Sequence, residues 1–222
     1  MKDNPFLIRG VARWLLLFGG GVLLTVVLLF ANIPFWAVFV IVMVVYMSIT
    51  LGWPIYIIYG TKDMDKVDKF LTKNRSNTLF AYAYAIAHET DETIIETIET
   101  ILQTHKQPKV QAVYAANLAV WQQDVEALHR LSIHLPTADY VNYYTANALL
   151  MEGNIESAQA LQTAIKKPWM KHALQASIAK QSGDQTAYRK EVELSTSHAR
   201  GVQHYVLVSL FQRQDQVSPI IQ

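Results

Sequence analysis

Cysteine is missing from all 222 residues. The chain therefore forms no disulfide and offers no thiolate as nucleophile or metal ligand, which is compatible with a reducing compartment. Excess charge is missing as well. The 19 basic and 18 acidic side chains leave a net +1, too weak a field to draw nucleic acid as a main partner. Between Trp14 and Thr61 there is no Asp, Glu, Lys, Arg or His at all. Ion pathways and proton relays in membranes are built on such groups, so this stretch is not expected to transport anything by itself. A Walker loop, a GxSxG elbow and a glycine-rich dinucleotide turn are absent too, leaving no sequence ground for a catalytic activity or a cofactor.

What fills the uncharged stretch is apolar. WLLLFGGGVLLTVVLLFA covers Trp14–Ala31, and FWAVFVIVMVVYMSITLGW, with PIYIIY behind it, runs from Phe35 to Tyr59. About 20 apolar residues suffice for one crossing of a bilayer, and the backbone of a lipid-embedded run must be helical to satisfy its own hydrogen bonds. Two membrane helices are expected, at about 14–31 and 35–58, joined by the uncharged turn Asn32–Ile33–Pro34. A cleaved signal peptide is the competing reading, since Lys2, Arg9 and Arg13 precede the first run. The length of that run and the immediate second run oppose it.

Lys2, Arg9 and Arg13 before the pair, and Lys62, Lys66, Lys69, Lys73 and Arg75 after it, put the cations at one membrane face; the tip has none. By the retention of positive charge inside, both termini are expected in the cytoplasm. Trp14, Trp53, Tyr56 and Tyr59 suit that interface and Trp36 the outer one. Pro54 is expected to kink or end the second helix. The triplet Gly19, Gly20 and Gly21 offers a flat face for close packing of a helix, first the hairpin's own second one and otherwise a partner's. Short loops and compactness read as a bacterial-type inner membrane protein. Residues 1–61 are the expected anchor and residues 62–222 the expected cytoplasmic domain.

After Lys62, glycine and proline are confined to Pro108, Pro136, Gly153, Pro168, Gly183, Gly201 and Pro219, and strand-like alternation is nearly absent. An all-α domain follows. In DETIIETIETIL, Asp91–Leu102, the residues Ile94, Ile95, Ile98, Ile101 and Leu102 fall on one helical face. Five stretches, ETD, QQD, EGN, SGD and RQD, each end in a residue able to cap a following helix. The positions Asp91, Asp124, Asn154, Asp184 and Asp215 are spaced by 33, 30, 30 and 31 residues. A period near 30 with a helix on either side predicts stacked helix pairs.

GNIESAQALQTAIKKP, Gly153–Pro168, resembles the second half of a tetratricopeptide repeat, with Gly153 at the turn, Ile155 and Ala158 inward and Pro168 closing the unit. Ala83, Ala116, Ala146 and Ala176 stand where that family places a small residue. The likeness is degenerate and covers residues 77–215. It implies a groove holding a partner protein or peptide, lined at the family's asparagine positions by Tyr84, Asn117, Asn147 and Ser177. Such amides both donate to and accept from a peptide backbone. Capture of a terminal carboxylate would need cations beside them, and Lys180 is the one in view. Tyr140, Tyr143 and Tyr144 share a helical face; Tyr143 is the candidate for the groove, and packing against a neighbouring helix accounts for the others.

His88 and Glu89 form the nearest approach to an acid–base or metal cluster, without the second His one turn later that a zinc helix would need. Lys62–Arg75 carries five basic and three acidic residues, a weak lipid binder by the standard of polybasic segments. The expectation is a membrane-anchored adaptor that binds a protein partner at the cytoplasmic face. The alternative is an accessory subunit docked on another membrane protein through its hairpin.

Overall fold

In the computed structural model, which describes residues 5–217 and the side chains of 18–216, twelve α-helices and no strands are found among the described residues. They are α1 Pro5–Phe30, α2 Phe35–Tyr59, α3 Met64–Asn74, α4 Thr78–His88, α5 Asp91–Thr104, α6 Pro108–Trp121, α7 Val125–Ser132, α8 Ala138–Met151, α9 Ile155–Ala164, α10 Pro168–Gln181, α11 Gln185–His198 and α12 Gly201–Val217. The chain divides into two units, Met1–Tyr56 and Ile57–Gln222, and the division falls inside α2.

In the first unit, α2 alone among the described residues is long and apolar enough to cross a membrane. Its apolar surface is not used as a protein core. Only Val38 and Ile57 along it are buried, whereas a helix apolar all round in a soluble protein is enclosed. The helix does not end at Pro54 but runs through it to Tyr59. A proline ring removes one donor and crowds one carbonyl, and five further residues stay helical beyond it. For α1 the described apolar stretch is Phe18–Phe30. The side chains of Lys2, Arg9, Arg13 and Trp14 lie outside the described residues, as does Pro219. A methyl group built on Gly19, Gly20 or Gly21 would meet nothing within 4 Å.

In the second unit, local signals set the helix boundaries. Asp124, Asn154 and Asp184 cap α7, α9 and α11, their side chains accepting the N–H of Ala127, Ser157 and Ala187. Each cap follows the same turn. Gln123, Gly153 and Gly183 are left-handed, with φ of 55°, 79° and 75°. The N–H groups of Asp124, Asn154 and Asp184 then reach back to the carbonyls of Ala119, Leu149 and Ala179. That closure satisfies the last carbonyls of the preceding helix. Pro108 and Pro168 open α6 and α10 in the first turn, where a missing N–H costs nothing.

Two of the five expected caps differ. Thr90, not Asp91, caps α5 by accepting from the Thr93 N–H; Asp91 enters the first turn, where a carboxylate favours the helix dipole. Asp215 caps nothing, because α12 continues past it to Val217.

The core is a chain of small clusters. Ile94, Ile98 and Ile101 of α5 are fully buried, as are Ala116, Ala146 and Ala176, with Ala83 nearly so. Small residues there let facing helices approach closely. Neighbours in sequence pack together from α3 to α12, and α8 also packs on α6 and α10. The row then closes on itself, because α12 packs on α4 and α3 as well as on α11. Tyr205 joins Ile57, Val67, Leu71 and Ala83 in one cluster, while Val206 and Leu210 cover Ile86, Ile94 and Ile98.

Candidate functional site

Closure of the row leaves a cleft of about 380 Å³ on the side of the even-numbered helices. α4 contributes Tyr82; α6 contributes Asn117 and Trp121; α8 contributes Tyr143, Tyr144 and Asn147; α10 contributes Ser177 and Lys180; α12 contributes Leu207, Phe211 and Arg213. Helical phase explains the set. Asn117, Asn147 and Ser177 each directly follow one of the buried alanines 116, 146 and 176, so a 30-residue spacing repeats the same face three times.

Hydrogen bonds orient these groups. The Tyr144 hydroxyl donates to Asn117 Oδ1 at 2.7 Å, and Asn147 Nδ2 donates to the Tyr143 carbonyl at 2.7 Å. Among the described residues this leaves the Asn117 amide nitrogen and the Asn147 amide oxygen without protein partners. Ser177 Oγ donates within its own helix to the Ala173 carbonyl at 3.2 Å. Tyr143 and Tyr144 meet edge to face at 5.4 Å, and Tyr144 stacks on Tyr140, whose ring takes Lys167 Nζ at 4.5 Å. Burial pushes the phenols of Tyr82, Tyr143 and Tyr144 above the usual range. They remain neutral, and the cleft wall is aromatic with hydroxyl and amide donors.

Of the expected groove residues, Asn117, Asn147, Ser177 and Tyr143 come together in the cleft and Tyr84 does not. Tyr84 packs with the Ile57, Val67 and Leu71 cluster, its ring 4.4 Å from that of His88. Tyr82 lines the cleft instead. Tyr84 lies 33 residues before Asn117, directly after the buried Ala83, but the side chain of α4 that reaches the cleft is two residues earlier, about 200° away around the helix.

Two cations stand at the mouth. Lys180 Nζ donates to the Gln214 carbonyl at 2.8 Å. Arg213 was not apparent from the sequence pattern, and it bonds the end of α4 together with Asp91.

His88 belongs to a separate polar joint. Its Nε2 lies 2.6 Å from Asp68 Oδ1, the Tyr205 hydroxyl donates to the same oxygen at 2.6 Å, and that hydroxyl is 3.1 Å from His88 Nε2. The cluster ties α3, α4 and α12. Burial raises the Asp68 pKa, but the bonds from Tyr205 and His88 outweigh it and hold the carboxyl below its ordinary value. A depressed carboxyl contributes stability above its unfolded pKa and loses it as pH falls through the folded one. Tyr205→Phe removes one charge-assisted bond and is expected to destabilise the protein by about 1–2 kcal/mol at neutral pH. The difference from wild type should shrink as urea titrations are repeated at progressively lower pH and the carboxyl becomes protonated in the folded state.

No protein-family model, curated protein or solved structure matches the chain.

Proposed function

We propose that this chain is a membrane-anchored adaptor. α1 and α2 form a transmembrane hairpin with both termini in the cytoplasm, and a degenerate tetratricopeptide-like array holds a partner protein or peptide in the cleft. The observation that carries the reading is the convergence of Asn117, Asn147 and Ser177 from three helices on one aromatic-walled cleft. Open amide groups on such a wall suit a peptide backbone, and the aromatic rings suit its apolar side chains. The thrice-repeated turn after α6, α8 and α10 supports an array of repeated pairs. The exposed apolar length of α2 supports the anchor. Anchoring confines the cleft near the membrane and raises the effective concentration of any membrane-bound partner.

Topology is tested on the cysteine-free background. A Cys at Asn32 should react with an impermeant reagent from outside, and one at Gln181 only after permeabilisation; the reverse sinks the orientation. Binding is tested with photo-cross-linkers in native membranes. Attachment of one partner at position 117 or 147 but not at Glu126, with about tenfold lower recovery in Asn147→Ala/Ser177→Ala, is the expected result. Equal recovery from all positions removes the cleft from the account.

A second reading is favoured by the bare surface at Gly19 and Gly20, which is exposed and contacted by nothing within 4 Å. A partner's membrane helix could approach closely there, which would make the chain an accessory subunit. Replacing the hairpin by an unrelated two-helix anchor separates the two, because an adaptor keeps its partner and an accessory subunit loses it.

A further inference from the structure

Consecutive packed helices joined by short turns are antiparallel, so alternate turns of the second unit gather at opposite ends. One set comprises HKQPK at 105–109, IHLPT at 133–137, IKKP at 165–168 and HAR at 198–200. These segments hold five Lys or Arg and no acid. The other set comprises ETDE at 89–92, QQDVE at 122–126, EGNIE at 152–156 and SGDQ at 182–185. These hold eight Asp or Glu and no Lys or Arg. The near-zero net charge conceals an uneven distribution: cations prevail at one end, where Asp139 also stands beside the turns, and carboxylates at the other.

Hydrogen bonds join the basic turns to neighbouring helix starts and to the segment that follows α2. The Gly201 N–H donates to the Thr61 carbonyl at 2.6 Å, and Lys62 Nζ donates to the Ser197 carbonyl at 2.7 Å. The Lys166 N–H donates to Asp139 at 2.8 Å, joining the turn before α10 to the start of α8. Thr78 and His105 meet at 2.8 Å, bringing the start of α4 to the turn before α6. Among the described residues none of the five turn cations pairs with a carboxylate. Ile133, on the same end, is 69% exposed. Beside the last turn of α2 lies a pocket of about 400 Å³, walled by Ile58, Tyr59, Trp169 and Val202 and edged by His198 and Arg200.

We infer that this basic end lies against the anionic phospholipid head groups of the membrane that α2 enters, with Ile133 in the interfacial layer and Arg200 holding a lipid phosphate at the mouth of the Trp169 pocket. The inference rests on the membrane reading of α2. Cations with no carboxylate partner near an anionic leaflet are attracted individually and additively. A guanidinium matches a phosphate bidentately, and aromatic rings such as Trp169 and Tyr59 favour the head-group layer. The acidic end is repelled by the same field, so the domain is oriented and the cleft is held at a fixed face to the cytoplasm.

The test uses the full chain, reconstituted in phosphatidylcholine vesicles with or without phosphatidylglycerol. A single fluorophore is placed at His134→Cys on the basic end or at Gln185→Cys on the acidic end, and head-group nitroxide lipid is the quencher. Quenching at position 134 should exceed that at 185 several-fold with phosphatidylglycerol present. Lys166→Glu/Lys167→Glu should cut the docked population by about tenfold, as should high salt. The milder Lys166→Gln/Lys167→Gln should give an intermediate loss. Equal quenching at both positions, or quenching indifferent to phosphatidylglycerol, overturns the inference while flotation with the vesicles preserves the anchor. Failure to float with either lipid overturns both.

Discussion

Gly201→Ala is expected to lower the unfolding midpoint of the protein by roughly 10 °C, the equivalent of about 3–5 kcal/mol for a chain of this size. Two independent effects act at this position. Gly201 has φ of +58°, a conformation that costs a residue with a Cβ about 1–2 kcal/mol. The added methyl would also fall 1.9 Å from the Ile58 carbonyl oxygen, 2.3 Å from its carbon and 2.6 Å from the Tyr59 nitrogen. Those are backbone atoms, and no rotamer change relieves the overlap. The start of α12 must retreat from the last turn of α2, which breaks the Gly201–Thr61 hydrogen bond and unpacks Tyr205 from Ile57. Gly183→Ala is the control. Its φ is +75° but a methyl there meets nothing within 4 Å, so only the backbone term of about 1–2 kcal/mol remains. Thermal melts of the two variants in one detergent separate the contributions. Equal midpoints would show that the close approach of α12 to α2 does not constrain the fold.

What was legible in the sequence is what short-range chemistry decides. The buried face of α5 follows from a 3.6-residue pattern of isoleucines, and the caps at Asp124, Asn154 and Asp184 are made by side chains reaching three residues ahead. The same spacing carried Asn117, Asn147 and Ser177 to one face. Thr90 was passed over because two adjacent residues could each cap and only the backbone turn chooses between them. Tyr84 follows from the 33-residue spacing that carries Ala83 to Ala116; that spacing puts the alanine in the core but does not decide which of its neighbours on α4 reaches the cleft. The return of α12 to α4 has no local signature, since Arg213 reaches carbonyls more than 120 residues earlier. RQD at 213–215 was accordingly misread as another turn; Asp215 instead accepts from the Tyr188 hydroxyl at 2.8 Å. The charge division between the two ends was hidden for a related reason: it alternates turn by turn and cancels in any running sum.

Arg213→Met is expected to destabilise the second unit by about 2–4 kcal/mol and to open the cleft. Arg213 Nε donates to the Ile86 carbonyl at 2.7 Å, Nη1 to Asp91 Oδ1 at 2.8 Å, and Nη2 to the carbonyls of Ala85 and Glu89. The carbonyls of Ile86 and Glu89 lie at the C-terminal end of α4, among the groups that a helix end leaves without intrahelical partners, while that of Ala85 also accepts the Glu89 N–H. A cation there is also favoured by the helix dipole. Methionine retains much of the apolar stem and removes every donor, so the loss reports the bonds rather than the packing. Lysine is expected to recover little, because one ammonium cannot reproduce a planar fork spread over four acceptors. The clamp holds α12 against α4 together with the Tyr205 joint and the packing of Val206 and Leu210, and α12 supplies Leu207 and Phe211 to the cleft wall. Hydrogen exchange should therefore quicken in α4 and α12 together while α8 and α9 keep their protection. Uniform quickening throughout the unit would mean that the closure is not a separate cooperative step. Loss of partner cross-linking at Asn147 in Arg213→Met, with α8 still protected, would connect the clamp to the cleft's shape rather than to the fold as a whole.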